Sequence, residues 1–366
     1  MVSPAPHRPG SFVWKATTAH LHRLRELLAA AITRPGARDW YDIPAAVRKL
    51  DPGGARAVVG YGSWYAGELR KSTSFADVYL VLDDYSRFYG NAFHAWMNRV
   101  LPPNVYFIWA DHDGKRTIRG KYNVISAADL ERECSPALRD VYTAGRLTKL
   151  VWIAWVRDEP TRDWLLTRLV EAHCTLTPIV LSLLPDCFSY DQFSLELLAF
   201  SYRAEARLEG WEHVRALHAA HGAHYRELHG VLLESFASAT GLLDLGATGV
   251  RKRASPQWRT LTRVQRGLLR RSRRRGYLRW PRIILTEPNL ADLAANEAER
   301  KAGVHVRVTP RLRRHPLIFG LPEFLRVLHE RNTQERIRKS QRSRPARQPN
   351  DAPNRSHVHS RPDPED

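Results

Sequence analysis

The stretch VVGYGSWYAGELRKSTSFADVYLVLDD, residues 58–84, decides how the chain is read. Val58 and Val59 are β-branched and suit a buried strand. Gly60 and Gly62 permit the sharp backbone turn that follows. Ser63 stands where a helix can begin, its hydroxyl and the neighbouring N–H groups free to face a phosphate. Asp77 opens Val78-Tyr79-Leu80-Val81-Leu82, a second strand by its branched and aromatic content. A turn that cradles an anion, with a carboxylate at the start of the next strand, suits a phosphorylated ligand held beside a divalent cation. An ordinary β-turn followed by a surface aspartate shows the same two features, so the rest of the chain must decide.

The 366 residues suffice for two domains, or for one with long appendages. Lys and Arg total 57 against 38 Asp and Glu, a formal net charge of +19. Such an excess calls for an anionic partner: nucleic acid, anionic lipid or nucleotide. Cys134, Cys174 and Cys187 are too scattered for a disulfide framework or a zinc site and point to a reducing compartment. No apolar run approaches the roughly 18–20 residues that span a bilayer, so a soluble or peripheral protein is expected. Near the N-terminus, Leu21, Leu24, Leu27 and Leu28 fall at helical spacing. The Arg-rich composition there also fits a transit peptide, but Glu26 and the scarcity of serine favour a packing helix.

Further along, residues 85–99 read as a helix with His94 and Asn98 on one face, ended by Pro102-Pro103. Residues 105–109 form a strand that empties into the turn Asp111-His112-Asp113-Gly114. Another strand covers 120–126, and helices cover 128–133 and 138–150. Lys121 and Arg146 lie in apolar contexts that hold a cation in place, and Lys149 follows. Residues 212–235 read as one helix. Its histidines (His213, His218, His221, His224, His229) are taken as surface, since no cysteine or acid completes a metal tetrahedron. Residues 251–282 hold thirteen basic residues and no acid. Within them Trp258, Leu261, Val264 and Leu268 make a narrow apolar stripe flanked by arginine. Such a helix suits an anionic membrane surface, and RNA nearly as well. Residues 283–330 contain a strand-like 304–308 and a helix around 324–329, without an assigned role. The tail from 331 to 366 is disordered by composition.

Taken in order, GYGS (60–63), FADVYLVLDD (75–84), His94 with Asn98, KYNVIS (121–126) and YTAGRLTK (142–149) resemble one family. It is the translocator assembly and maintenance type of mitochondrial phosphatidate cytidylyltransferase, which has bacterial relatives. Residues 201–208, SYRAEARL, are similar to that family's SYxGDxRM stretch, and Gln265-Arg266-Gly267-Leu268-Leu269 to its C-terminal helix. The resemblance covers roughly residues 50–280. No single motif is specific; their order and spacing are. This chain also departs from the family pattern. Trp64 follows Ser63 where the family has Gly, Glu68 replaces a common Gln, Asn123 replaces the Gly of KYGVIS, and Leu150 replaces a Pro. A His-Tyr-Ser element expected after Asn98 is missing.

The resemblance implies an α+β chain whose mixed sheet has the nucleotidyltransferase fold, with a mostly helical second domain and a basic amphipathic C-terminal region. The expected division is a helical lead-in at 1–50, a nucleotidyltransferase domain at 51–150 and a helical domain at 151–245. A membrane-contact segment at 246–282, an extension at 283–330 and the tail at 331–366 complete it. The implied reaction joins CTP and phosphatidic acid to give CDP-diacylglycerol and pyrophosphate, with Mg²⁺ as cofactor. Asp77 would hold the ion, Gly62, Ser63 and Lys149 the nucleotide, and Lys121 and Arg146 would act with Asp77 in catalysis. Trp258, Leu261, Val264 and Leu268 would touch the membrane. The expected location is the cytoplasmic membrane of a bacterium, with the mitochondrial inner membrane second and nucleic acid ranked behind lipid as partner. A second metal carboxylate is not evident. Tyr79 occupies the position two residues after Asp77, and Asp83 lies about 20 Å along an extended strand. That leaves Asp111 and Asp113 at the end of a neighbouring strand. Two rivals remain: a nucleotidyltransferase acting on RNA, protein or a small molecule, and an inert module that docks on anionic surfaces.

Overall fold

A computed structural model describes residues 14–65, 67, 75–204, 211–286, 290–315 and, intermittently, 318–333. The chain is α+β and falls into two compact units, Met1–Ala294 and Ala295–Asp366.

The first unit opens with α1 (Thr18–Ile32), capped by Thr17, whose hydroxyl accepts from the His20 N–H. Leu24, Leu28 and Ile32 bury one face of α1, in line with the leucine spacing. Next come α2 (Asp42–Lys49), β1 (Ala55–Tyr61), β2 (Ala76–Leu82), α3 (Tyr85–Tyr89), α4 (Ala92–Val100), β3 (Asn104–His112) and β4 (Arg116–Ser126). Then follow α5 (Ala127–Cys134), α6 (Ala144–Leu147) and β5 (Trp152–Val156). The five strands form one mixed sheet in the order β3-β4-β2-β1-β5. All its pairs are antiparallel except β2 with β4, which run parallel. A parallel pair needs a long crossover, and α3, α4 and β3 supply it. Both faces of β1 and β2 are covered. Val58 and Leu80 pack with Ile43, Tyr65 and Trp152 on one side; Val59, Tyr79 and Val81 pack with helices on the other. Two-sided burial is why 78–82 reads as a continuous apolar run rather than an alternating one.

Helices complete the first unit: α7 (Glu159–Leu181), α8 (Tyr190–Ala204), α9 (Trp211–Ala220), α10 (Gly222–Thr240) and α11 (Gln257–Thr286). Between them β6 (Cys187–Phe188), β7 (Leu243–Leu245) and β8 (Val250–Lys252) form a small sheet in the order β6-β8-β7. One apolar core runs from α1 and β1 through α7, α8 and α10 to Leu268 of α11, so packing does not divide this unit at residue 50 or 150. In the remainder, α12 (Leu290–Ala302) and α13 (Pro310–Arg314) accompany buried Val304, Leu312 and Val327.

Several elements differ from the sequence reading for local reasons. The helix expected at 85–99 breaks where Gly90 takes a left-handed φ of +56°, and Asn91 restarts it by accepting from the N–H groups of Phe93 and His94. Only Ala144–Leu147 of the expected 138–150 helix is helical. Asp140 diverts the chain there by accepting from the Tyr142 N–H. The expected 212–235 helix is split between α9 and α10 at His221, which has φ −129°. Residues 304–308 form no strand, because no described segment offers them a ladder. β5 went unread, although it is the edge strand that completes the sheet. Phe324 and residues 334–366 lie outside the described residues.

The apolar stripe of α11 faces protein. Leu261 and Leu268 are buried, Trp258 and Val264 half-buried, and Leu268 belongs to the main core. The Trp258 indole donates to the Arg253 carbonyl at 2.9 Å. Leu261 and Leu268 are therefore packed in protein and not available to a membrane. Helical periodicity reports that a face needs an apolar partner, and α7 provides one.

Of the histidines at 213–229, His229 is not surface, and the other four are half-buried. His229 is buried with its Nδ1 2.7 Å from the Ser194 hydroxyl, and buried His173 of α7 stands 6.3 Å away between ring centroids. Burial pushes His173 down to about 4 from an ordinary 6.5 and holds His229 well below its usual range, the neighbouring His173 adding to the effect. His224 is lowered by burial and by His221. Each folded pKa lies below its unfolded value, so the unfolded chain takes up the protons first. Stability from these groups is complete above pH 6.5 and is lost as pH falls toward 4. For His173 alone the loss is about 3 kcal/mol. Urea midpoints measured across that window will fall steeply for the wild type and less for His173→Gln; parallel slopes would show that the buried imidazoles do not drive acid unfolding.

Candidate active site

Strand register assembles the site. Tyr61 pairs with Asp77 across β1 and β2, Asp77 with Lys121 across β2 and β4, and Lys121 with Phe107 across β4 and β3. Residues directly opposite share a sheet face, so Tyr61, Asp77, Lys121 and Phe107 form one row. The next row on that face is Val59, Tyr79, Asn123 and Val105.

Gly62 follows β1 with φ +82°, and a Cβ added there would stand 3.4 Å from Asp77 Oδ2. The positive φ favours glycine, and the missing side chain leaves the carboxylate against bare backbone. Ser63 starts a single 3₁₀ turn, Ser63–Tyr65, closed by the Tyr65 N–H donating to the Gly62 carbonyl at 3.2 Å. The helix expected at Ser63 is absent from these three residues. Trp64, the departure from the family's Gly, is buried in the core with Tyr65. Glu68 lies outside the described residues.

Asn123 links three elements. Its amide donates to the Tyr61 hydroxyl at 2.7 Å and to the Val78 carbonyl at 3.2 Å, while its oxygen accepts from the Tyr142 hydroxyl at 3.0 Å. Burial pushes the Tyr61 phenol well up, and the charge of Asp77 reinforces the shift. Tyr61 therefore stays neutral and keeps an O–H to donate. Sequence reasoning passed over Tyr61 and Tyr142. Tyr61 carried a usable signal in its place beside Gly62, whereas Tyr142 is joined to the site only through the fold.

The cations sit among rings. Lys121 Nζ lies 4.2 Å from the Phe75 centroid and 5.3 Å from that of Phe107. Arg146 is buried in α6; its guanidinium stacks 3.4 Å over Tyr142 and donates to the Tyr142 carbonyl at 2.7 Å. The ring beneath Arg146 is joined through the Tyr142 hydroxyl and Asn123 to Tyr61, so Arg146 borders the Asp77 row. Lys149 is buried with Nζ 3.8 Å over Tyr202 of α8. The structure thus brings together Gly62, Ser63, Asp77, Lys121 and Arg146. Lys149 belongs to the α6–α8 packing, where a Cβ on Gly145 would meet Ser201 Cβ at 2.6 Å.

Other expected residues are not gathered. Asp111 pairs with Thr117 near the far end of the β3–β4 hairpin, about 13 Å along the strand from the Phe107–Lys121 pair. Asp113 lies at the hairpin turn beside His112 and Arg38. Neither is a second ligand for an ion on Asp77. Among the described residues no group of three or more His, Cys, Asp or Glu side chains could hold a metal ion. His94 is exposed, whereas buried Asn98 donates to the Val124 carbonyl at 3.1 Å and accepts from Arg282. Asn98 therefore ties α4 to β4 and α11.

That same helix α11 clamps the site from behind. Buried Asp140 accepts from Arg275 Nε at 2.6 Å and from an Arg279 guanidinium nitrogen at 2.8 Å. Arg279 also reaches the Pro102 carbonyl at 2.6 Å and stacks 4.4 Å over the Tyr142 centroid. Burial acts to raise the Asp140 carboxyl, but Arg279 and Arg275 outweigh it and hold it below the usual range. The chain matches no protein-family model, and no curated protein shows a significant match.

Replacing Asp140 by Asn leaves buried Arg279 and half-buried Arg275 short of their carboxylate, a loss of about 3–5 kcal/mol. Urea unfolding of Asp140→Asn will show it as a lower midpoint with an unchanged slope. A midpoint within error of the wild type would remove the clamp from the list of structural necessities.

Proposed function

We propose that the protein is a phosphatidate cytidylyltransferase of the nucleotidyltransferase fold, which joins CTP and phosphatidic acid to give CDP-diacylglycerol and pyrophosphate. The observation that carries this reading is the approach of Gly62 to the Asp77 carboxylate: a Gly-Ser turn and a strand carboxylate meet at the end of the paired central strands β1 and β2 of a mixed sheet. The ordered motifs from GYGS to YTAGRLTK support the choice of family. The positive charge supports an anionic substrate pair.

The Gly62-Ser63 backbone and hydroxyl hold the phosphate tail of CTP. Asp77 is the carboxylate that would hold Mg²⁺, and one carboxylate plus substrate phosphates is an ordinary donor set for that ion; bound there, it would neutralise charge on the triphosphate. A phosphate oxygen of phosphatidate, already ionised, attacks the α-phosphorus. A new P–O bond forms as the bond from the α-phosphorus to the bridging oxygen breaks, and pyrophosphate leaves with that electron pair. No strong general base is needed, which fits a site with one carboxylate among the described residues. Lys121 and Arg146 supply fixed positive charge where negative charge gathers. Tyr61, held neutral, offers an O–H beside Asp77, and Asn123 orients it. The protein's contribution is positioning and charge stabilisation.

Incubation with each nucleoside triphosphate, Mg²⁺ and phosphatidate vesicles, read by lipid mass, will give CDP-diacylglycerol from CTP alone. Asp77→Asn will fold normally and lose far more than tenfold in rate, each tenfold being about 1.4 kcal/mol of barrier. Labelling of RNA in place of lipid, or an Asp77→Asn variant keeping over about a tenth of the rate, would overturn the assignment.

A further inference from the structure

The inward face of α11 is spent on Leu261, Gln265, Leu268, Ser272 and Arg279, all buried. The opposite face carries Arg259, Arg263, Arg266, Arg270 and Arg274, all exposed, without an acidic partner among the described residues. Successive members are four, three, four and four residues apart, so they lie along one side of the helix for about 22 Å. Like charges at this spacing repel, a cost that an anionic partner relieves.

On α11 and the neighbouring α4 there is also an exposed apolar surface. Phe93, Trp96 and Val100 of α4 are 59, 57 and 51% exposed, and Tyr277 and Leu278 of α11 are 54 and 62% exposed. The two helices are bonded where these residues sit. Arg275 donates to the Val100 carbonyl at 3.3 Å, and Arg282 to the Met97 and Leu101 carbonyls at 3.1 and 2.6 Å. Scattered surface hydrophobics need no explanation, but five large ones on two joined helices do.

We infer that the outward arginines of α11, with Phe93, Trp96, Val100, Tyr277 and Leu278, form the surface by which the protein docks on an anionic lipid bilayer. The inference rests on the phosphatidate reading only for its choice of probe lipid. Aromatic rings with arginine also suit single-stranded RNA, where bases stack on them. Val100 and Leu278 decide between the two: an aliphatic side chain has no π-face for a base, whereas the hydrocarbon boundary accepts it beside Trp and Tyr. The membrane face is thus the reverse of the Trp258–Leu268 stripe read from sequence.

The test is co-flotation of the full chain with phosphatidylcholine vesicles, with and without phosphatidate, and without nucleotide. The wild type will float with phosphatidate vesicles and release as salt rises. Arg263→Gln/Arg266→Gln/Arg270→Gln will weaken binding on the order of fivefold per arginine. Phe93→Ser/Trp96→Ser/Leu278→Ser, at constant net charge, will weaken it by more than about tenfold. Both variants will keep the wild-type melting temperature, because the replaced side chains are exposed, and will keep wild-type turnover of detergent-dispersed phosphatidate. Undiminished flotation of both variants overturns the inference. So does a wild type that ignores the vesicles but binds polyuridylate through these arginines, or one that uses the apolar residues to dimerise. A wild type that floats yet makes no CDP-diacylglycerol would overturn the catalytic reading and leave the docking surface standing.

Discussion

The buried carboxylate of Asp140 holds the molecule's working parts in register. It receives the Tyr142 N–H, Arg275 and Arg279. A carboxylate out of water is costly unless charged donors surround it, and here two guanidinium groups do so. Through this group, and through the Val141 N–H donating to the Ser272 hydroxyl, the segment bearing Tyr142, Arg146 and Lys149 is tied to α11. Arg282 of the same helix binds Asn98, and Asn98 binds the Val124 carbonyl on β4, the strand that carries Lys121 and Asn123. The basic helix therefore supports the site on its inner face, while the arginines of its outer face are exposed. A sequence of thirteen basic residues without an acid looks uniform, yet the fold divides it into a buried and an exposed face.

The sheet supplies the second constraint. Parallel pairing of β2 with β4 sets Lys121 beside Asp77, and antiparallel pairing with β1 sets Tyr61 on the other side. Shifting either register by one residue would send the whole row to the opposite face. Buried Tyr79 and Val81 on one face and Val78 and Leu80 on the other prevent that slip. The chemistry proposed at Asp77 thus depends on apolar residues that never touch a ligand.

Much of this was legible in the sequence. β1 and β2 announce themselves by branched residues, and the Gly62-Ser63 turn by its composition. The mixed α+β character follows from strands interleaved with helical text. What escaped was whatever depends on distant partners. Apolar residues at helical spacing require an apolar neighbour, but Leu261 and Leu268 do not say whether it is lipid or protein. The α10 histidines look like a solvated face until α7 and α8 close over His229. Asp111 seemed near the site because β3 was read without its register; pairing with Thr117 moves it to the far end of the hairpin. Asn123 looked like a mere departure from Gly, and only the fold reveals that its side chain joins Tyr61 to Tyr142.

The most direct measurement is a crystal structure of the protein with CTP and Mg²⁺. The Gly62–Asp77 geometry predicts the triphosphate against the Gly62-Ser63 backbone, the ion on an Asp77 carboxylate oxygen, and the Lys121 ammonium turned to a phosphate. A nucleotide bound elsewhere, or an Asp77 carboxylate closed onto Lys121 with no ion, would contradict it.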